Sequence, residues 1–131
     1  NAFPTPKSFF DSKVDRLVEC KKYATFIDQQ KPLVVCGDFN EPESYPSAQF
    51  WMNDFGLKSS LREFGLGDQY TWWWELPLGI RVGAHFDHLF YRGLESLSAE
   101  IIVSDSSDHY PCIATFSKSP PSSSSSSSSP N

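Results

Sequence analysis

The sequence has few cysteines, few basic residues and no long apolar run, and each shortage excludes a class of protein. Its 131 residues include three cysteines that lie far apart, so neither a disulfide framework nor a zinc motif follows. No stretch of about eighteen apolar residues occurs, which excludes a membrane-spanning helix. The formal net charge of -5 argues against a broad basic face that grips nucleic acid. An acidic metal site remains compatible with that charge.

The residues that are present favour a folded domain followed by a tail. Hydrophobic residues make up 39% of the chain and aromatic residues 15%, which is enough to form a core. We expect one partial domain over residues 1–117 and a disordered Ser/Pro-rich tail over 118–131. Cys36 and Cys112 lie within apolar runs, so we expect buried free thiols at both.

The pattern of apolar residues predicts alternating helices and strands, which is a mixed α/β fold. After an extended segment 1–10, we expect helices at 11–29, 47–56 and 59–64, and strands at 33–37, 70–74, 85–91, 97–103 and 111–116, with a loop at 75–83. The first helix should bury a stripe through Val14, Leu17 and Val18, extended by Ala24 and Ile27, which leaves Arg16 on a solvated or phosphate-steering face. The continuous apolar run at 33–37 predicts a strand covered on both faces.

The segment Gly37–Asn40 places an acid and an amide at the end of a predicted buried strand. A charged residue directly after an apolar run needs a partner, and for Asp38 that partner is water, a lysine or a Mg²⁺ ion. Asn40 points the same way as Asp38 if the chain stays extended. Taken alone, this segment is equally a turn sequence.

Two later segments, His85–Phe90 and Ser107–Pro111, place further carboxylates and imidazoles at strands or strand ends. An aspartate such as Asp87 is unfavourable in a strand, so we expect it to bond to something specific, for which a histidine is the obvious candidate. An Asp–His pair orients the imidazole and raises its basicity. Taken alone, Asp108-His109 is commonly just a loop. Because Asp87 could pair with His109, we interpret these residues as parts of one functional site.

Two other features have competing interpretations. The run Trp72–Trp74 is either core with a half-exposed edge or an aromatic platform that contacts a base, a sugar or a lipid. His85 and His88 are interpreted as satisfied polar groups at the rim of the sheet. A zinc site on these two histidines would need two more ligands, and none is spaced to supply them.

In this order, the motifs Gly37–Asn40, Phe86–Phe90 and Ser107–Pro111 resemble the C-terminal half of the endonuclease/exonuclease/phosphatase superfamily, the DNase I-like group. Thr71-Trp72 and Pro42 also fit the usual pattern of the group. Its members include DNases, abasic-site endonucleases, sphingomyelinases, inositol-polyphosphate phosphatases and deadenylases. The resemblance implies the C-terminal half of a DNase I-like two-sheet α/β sandwich with flanking helices.

The resemblance also implies a reaction, the Mg²⁺-assisted in-line hydrolysis of a phosphoester, with Mn²⁺ as the alternative ion. The substrate would be a nucleic acid, a phospholipid head group or a sugar phosphate. Asp38 would orient the attacking water or protonate the leaving group, and Asn40 would contact the scissile phosphate. Asp87 would orient His109, which would bind the phosphate or transfer a proton. Asp38 and Asp108 would join the metal–water network.

The resemblance leaves part of the family's site unaccounted for. The N-terminal half of the family supplies an asparagine, a metal-binding glutamate and a second histidine, whose nearest position in this chain is Ala2. We therefore expect activity to need such an N-terminal half. The alternatives are an inactive truncated or degenerate member that acts as a binding or structural remnant, and a plain α/β module whose motifs match by chance. In that last case Asp38, Asp87 and His109 would lie far apart.

Overall fold

A computed structural model describes residues 6–118 of the chain, which form one long helix, several short helical segments and three small antiparallel sheets. In chain order the elements are α1 (Pro6–Ala24), β1 (Leu33–Asp38), α2 (Pro46–Gln49, continued by a π-helical turn Phe50–Asp54), β2 (Lys58–Ser59), α3 (Ser60–Glu63), β3 (Trp72–Leu76), β4 (Ile80–Ala84), β5 (Asp87–Arg92), β6 (Glu95–Ile101) and β7 (Cys112–Ser117). The predicted mixed α/β class, as part of an α/β sandwich, is confirmed.

The central sheet sets the position of the candidate site. Strand β5 lies between β1 and β2 and is antiparallel to both. The register pairs Leu33 with Arg92 at one end and Asp38 with Asp87 at the other. The hairpins β3–β4 and β6–β7 form the two remaining sheets. Two acidic residues that are 49 positions apart in the sequence therefore face each other across neighbouring strands.

The core lies between α1, α2 and the inner side of the central sheet. Its buried members include Ala24, Trp51, Leu57 and Phe90. Burial of such side chains is the main favourable term in folding, at roughly 25 cal/mol per Å² of apolar surface. The core therefore holds β1 and β5 rigidly beneath the end of the sheet where the acidic residues lie.

The first helix differs from its prediction in its extent and in part of its buried side. It begins at Pro6, in the segment predicted to be extended, because proline suits the first turn of a helix. Of the predicted stripe, Ala24 and Ile27 pack against the core, whereas Val14 and Val18 are more than half exposed. Near Val14 and Val18, Arg16 instead turns inward, and its Nε donates to the buried carboxylate of Glu41 at 3.4 Å.

The prediction that β1 is covered on both faces is wrong. Leu33 and Val35 pack against the core, whereas Val34 and Cys36 are exposed. The helices cover one face of the strand, and among residues 6–118 no element encloses the other. Cys36 is thus not the buried thiol that its apolar neighbours suggested. Cys112 is half-buried, and this burial raises the pKa of its thiol to about 11.

The predicted loop at 75–83 is instead part of the hairpin β3–β4, which turns at Pro77–Gly79. Residues Ile80 and Val82 alternate with polar or small neighbours, a strand pattern that the glycines and the proline around the turn obscured. The helices predicted at 47–56 and 59–64 are confirmed as α2 with its π-helical turn and as α3. Gly56, the predicted stop, has a φ of 78°, a conformation that glycine adopts readily.

Within residues 6–118, none of the helices is long and apolar enough to cross a membrane. The expectation about Ala2 falls outside the described residues, and so does all of the predicted tail except Lys118.

Candidate functional site

The three polar segments singled out in the sequence converge at one end of the central sheet. Asp38 ends β1, Asp87 begins β5, and His109 lies in the loop before β7, where it bridges to Trp72 of β3. The Nδ1 of His109 lies 2.9 Å from Oδ2 of Asp87, and its Nε2 lies 3.6 Å from Oδ2 of Asp38. This convergence excludes the interpretation in which the motifs match by chance and their residues lie apart.

Thr71 holds the Asp87–His109 pair in place. Its buried hydroxyl donates to Oδ2 of Asp87 at 2.7 Å and accepts the backbone N–H groups of Phe86 and Asp87 at 3.0 and 3.1 Å. Its carbonyl accepts the N–H of Tyr110, next to His109, at 2.7 Å. One residue therefore fixes both partners of the pair. In the sequence its only signal was the Thr-Trp pattern that accompanies the resemblance.

The position and charge of His109 follow from its neighbours. Asp87 takes up Nδ1, which leaves Nε2 directed towards Asp38 and the open side of the site. Partial burial disfavours the imidazolium, but the hydrogen bond to Asp87 and the negative charges of Asp87, Asp38 and Asp108 outweigh it and raise the pKa of His109. The site therefore favours a protonated imidazole, which is suited to donating a hydrogen bond to an anionic oxygen.

Asp38 is held from its own segment. The N–H of Asn40 donates to Oδ1 of Asp38 at 2.8 Å, and Asn40 adopts a left-handed conformation with a φ of 52°. The side chains of Asp38 and Asn40 were expected to point the same way if the chain stayed extended. The chain turns at Asn40, so this condition is not met. Between them Phe39 packs edge-on against His88 and Phe90, which anchors the turn to the sheet.

Asp108 lies beside this group rather than within it. Its Oδ2 accepts the indole N–H of Trp72 at 3.2 Å, and its Oδ1 accepts the hydroxyl of Ser107 at 3.3 Å. The bond from Trp72 is the main reason that the pKa of Asp108 is lowered. Its carboxylate is exposed and is not one of the three ligand atoms that cluster within 4.8 Å. The metal-binding role of Asp108 stays a prediction.

The cluster of Asp38, Asp87 and His109 has donors of the kind that a divalent cation accepts. Two of its atoms are already bonded to each other, because Oδ2 of Asp87 faces Nδ1 of His109. Mg²⁺ requires near-octahedral oxygen coordination, so this cluster fits a Mg²⁺ site in part, with Asp38 as the ligand that remains available. Its side chain is 37% exposed, which leaves room for water and for a substrate.

The prediction that His85 and His88 are satisfied polar groups holds for one nitrogen of each ring. The other, Nε2 of His85 and Nδ1 of His88, is buried without a hydrogen-bond partner among the described residues. Nε2 of His88 pairs with the carbonyl of Glu41 at 2.7 Å, and Nδ1 of His85 with the carbonyl of Gln69 at 2.6 Å. Among the described residues, they belong to no group of three ligands that could share an ion.

Comparison with known proteins agrees with this geometry. Residues 1–109 match the profile of the Endonuclease/Exonuclease/phosphatase family. The chain belongs to this family. It is also similar to UPF0294 proteins of Vibrio cholerae serotype O1, with 38% identity over 88 residues, and of Vibrio parahaemolyticus serotype O3:K6, with 34% identity over 86 residues. These matches cover 65% of this chain and 27% of each relative, so the chain spans about a quarter of their length. No solved structure matches it significantly.

Family membership supports a hydrolase of the nuclease or phosphatase type. The matched region contains Asp38, Asn40, Asp87, Asp108 and His109. The metal, the substrate and the roles of these residues are not assigned by membership alone.

Proposed function

We propose that these residues are the C-terminal part of a Mg²⁺-dependent phosphoesterase site, with Mn²⁺ as an alternative ion. The observation that carries the proposal is the orientation of His109, whose Nδ1 is held by Asp87 while its Nε2 faces Asp38 across 3.6 Å. On the open side of the site, Nε2 of His109 can contact a phosphoryl oxygen while the neighbouring Oδ2 of Asp38 contacts a water molecule.

Each residue has a defined task in this proposal. His109 donates from Nε2 to a non-bridging phosphoryl oxygen, and Asp87 keeps the ring in that orientation. Asp38 accepts a proton from the attacking water as its oxygen bonds to phosphorus and the bond to the leaving oxygen breaks. Asn40 contacts the phosphate, and Asp108 adds negative charge towards the metal. A bound Mg²⁺ would polarise the phosphoryl group and neutralise its developing charge.

A second candidate is a non-catalytic member of the family. It is favoured by one specific observation, namely that Asp87 and His109 are committed to each other and leave Asp38 as the available ligand of the cluster. A lone carboxylate holds Mg²⁺ weakly, because the ion gives up its water ligands reluctantly. Since the chain spans about a quarter of its relatives, a longer polypeptide would have to supply further ligands for turnover.

The test measures Mg²⁺-dependent hydrolysis of bis(4-nitrophenyl) phosphate by the chain and by a longer polypeptide that contains it. We expect His109→Ala and Asp87→Asn to lower turnover by roughly 10²- to 10⁴-fold, the usual contribution of a positioned acid or base. The matched control is Asp54→Asn, an exposed aspartate at the end of the π-helical turn. It should leave turnover unchanged.

Metal binding gives a readout that does not depend on turnover. We expect Mg²⁺ to raise the unfolding temperature of the wild-type chain, and Asp38→Asn to abolish most of that shift. If neither Mg²⁺ nor Mn²⁺ shifts the unfolding temperature, and the longer polypeptide hydrolyses neither phosphodiesters nor phosphomonoesters, the non-catalytic candidate is correct.

A further inference from the structure

The backbone of the loop that carries His109 is attached to the edge of the hairpin β3–β4. The N–H of Trp73 donates to the carbonyl of Asp108 at 2.9 Å. In the next position, Trp72 and His109 face each other as an antiparallel pair. The segment around His109 therefore extends the hairpin as a short third strand, so the position of its imidazole depends on β3.

The two carboxylates that face His109 belong to a different sheet. Asp38 ends β1 and Asp87 begins β5, whereas β3 and β4 form a sheet of their own. The distance of 3.6 Å between Nε2 of His109 and Oδ2 of Asp38 thus depends on how the hairpin is held against the central sheet. A side chain that contacts both sides of this junction would help to fix that distance.

The side chain of Trp72 contacts both sides of the junction. Its ring centroid lies 5.3 Å from that of Phe86, the residue directly before β5, with an angle of 31° between the two planes. Its indole N–H donates to Oδ2 of Asp108 at 3.2 Å, beside His109. Tryptophan can make both contacts because it combines a large apolar ring with one polar donor. Phenylalanine at this position would retain the ring contact and lose the hydrogen bond.

The carboxylate of Asp108 connects Trp72 to the backbone of His109. Its Oδ1 accepts the hydroxyl of Ser107 at 3.3 Å, and the oxygen of that hydroxyl accepts the N–H of His109 at 3.1 Å. Within residues 6–118, Trp72 supplies the only hydrogen bond that this carboxylate accepts from outside its own loop. A chain of hydrogen bonds therefore runs from the indole through Asp108 and Ser107 to the residue that carries the imidazole.

We propose that Trp72 is a positioning residue of the candidate site, which acts through Asp108 to hold His109 at its distance from Asp38. This role differs from both interpretations of the run Trp72–Trp74, core and aromatic platform. Its part in turnover rests on the proposed function, whereas its hold on the loop does not. Loss of the indole N–H frees Asp108 and lets the loop move. Such a movement lowers turnover more than substrate binding, because the orientation of His109 matters most in the transition state.

Hydrogen exchange of the full 131-residue chain, followed by NMR, tests the hold on the loop without any need for turnover. We expect the backbone N–H of Tyr110 to exchange at least tenfold faster in Trp72→Phe, while the N–H groups of β1 and β5 exchange as in the wild type. In an Asp108→Ala background, Trp72→Phe should accelerate this exchange no further, because Trp72 acts through that carboxylate.

The matched control is Trp73→Phe, on the same strand. It keeps the backbone bond to Asp108 and removes an indole N–H that is buried without a hydrogen-bond partner among the described residues. The N–H of Tyr110 should therefore exchange in this control as it does in the wild type.

The part in turnover is tested with the longer polypeptide and bis(4-nitrophenyl) phosphate in the presence of Mg²⁺. We expect Trp72→Phe to lower kcat roughly tenfold and to leave KM nearly unchanged, the pattern of a misplaced catalytic group. An unchanged kcat, or a rise in KM alone, would refute this part of the proposal.

Three exchange results would overturn the hold on the loop: equal exchange of Tyr110 in Trp72→Phe and the wild type, acceleration throughout β1 and β5, or further acceleration in the Asp108→Ala background. The second of these would show that Trp72 only supports the fold. If the longer polypeptide hydrolyses no phosphoester, the proposed function fails, while the exchange experiment still decides whether Trp72 positions His109.

Discussion

Glu41 and Asp38 are only three residues apart, but the carboxylate of Glu41 is buried within the protein and that of Asp38 is partly exposed. Glu41 is fully buried, and protein groups satisfy it: the backbone N–H groups of Ser47 and Ala48 at 2.6 and 3.2 Å, and Nε of Arg16 at 3.4 Å. Asp38 has one oxygen bonded within its own turn, while the other faces His109 at 3.6 Å in a partly open site. The first carboxylate joins a helix to the sheet, and the second is free to act on a ligand.

Two histidines repeat this contrast. Burial lowers the pKa of His88, whose Nε2 bonds to the carbonyl of Glu41. The pKa of His109 is raised, because the surrounding carboxylates outweigh its partial burial. A closed environment thus keeps one imidazole neutral, and an open acidic one favours the charged form of the other.

Removing the buried carboxylate of Glu41 should have the largest effect on the free energy of unfolding. In Glu41→Ala, the guanidinium of Arg16 and the two N–H groups at the start of α2 lose their acceptor. We expect the free energy of unfolding to fall by about 3–5 kcal/mol, the usual cost of breaking a buried pair from one side. Urea denaturation followed by tryptophan fluorescence measures this change.

The matched variant, Asp38→Ala, removes the partly exposed carboxylate. We expect it to alter the free energy of unfolding by less than about 1 kcal/mol, since its carboxylate is partly exposed and bonded within one turn. Equal losses in the two variants would show that both carboxylates are structural and would remove the contrast.

A smaller effect is expected from Thr71→Val, which keeps the shape of the side chain and removes its hydroxyl. The N–H groups of Phe86 and Asp87 would lose their acceptor, and Asp87 would lose a donor. We expect a loss of about 1–3 kcal/mol in the free energy of unfolding, together with a looser Asp87–His109 pair. Two-dimensional NMR of the imidazole nitrogens would report that loosening.

The control for this variant is Thr71→Ser, which retains the hydroxyl and should keep the NMR signature of His109. If Thr71→Val left that signature unchanged as well, Thr71 would only support the fold and would not position the candidate site.

The smallest effect concerns pH. Because the folded-state pKa of His88 lies below its ordinary value of 6.5, its contribution to stability is complete above that pH. As the pH falls below 6.5, the unfolded chain gains a proton that the folded chain does not, so the free energy of unfolding decreases. The effect of His109 on stability has the opposite pH dependence. Its stabilising contribution is complete below pH 6.5 and is lost as the pH rises through its raised pKa.

The two effects are separated by comparing the wild type with His88→Gln between pH 7.5 and 5.5. We expect the variant to lose less stability on acidification than the wild type, because it lacks the group that unfolding would protonate. A steeper loss in the variant would contradict the assignment of His88 as a buried neutral imidazole.

Much of the fold was accessible from local patterns. The helices from Ser47 and at 59–64 were predicted correctly because apolar spacing and the glycine stop at Gly56 are local signals. The prediction for α1 was correct for Ala24 and wrong for Val14 and Val18, because Glu41, from a distant part of the chain, bonds to Arg16 and draws it inward. Cys36 was misjudged for a related reason, since an apolar run does not reveal which of its faces another element covers.

The sequence by itself determined the chemistry at the candidate site: the residue types of Asp38, Asp87 and His109, their order, and their places in or beside strands. Only the tertiary structure decided which of them meet, since the register that pairs Asp38 with Asp87 depends on packing between distant strands. The tertiary structure also decided that Glu41 is buried against α2 while Asp38 remains partly exposed, because burial depends on the assembled core. Neighbouring acidic residues in one short segment carry no local signal of that difference.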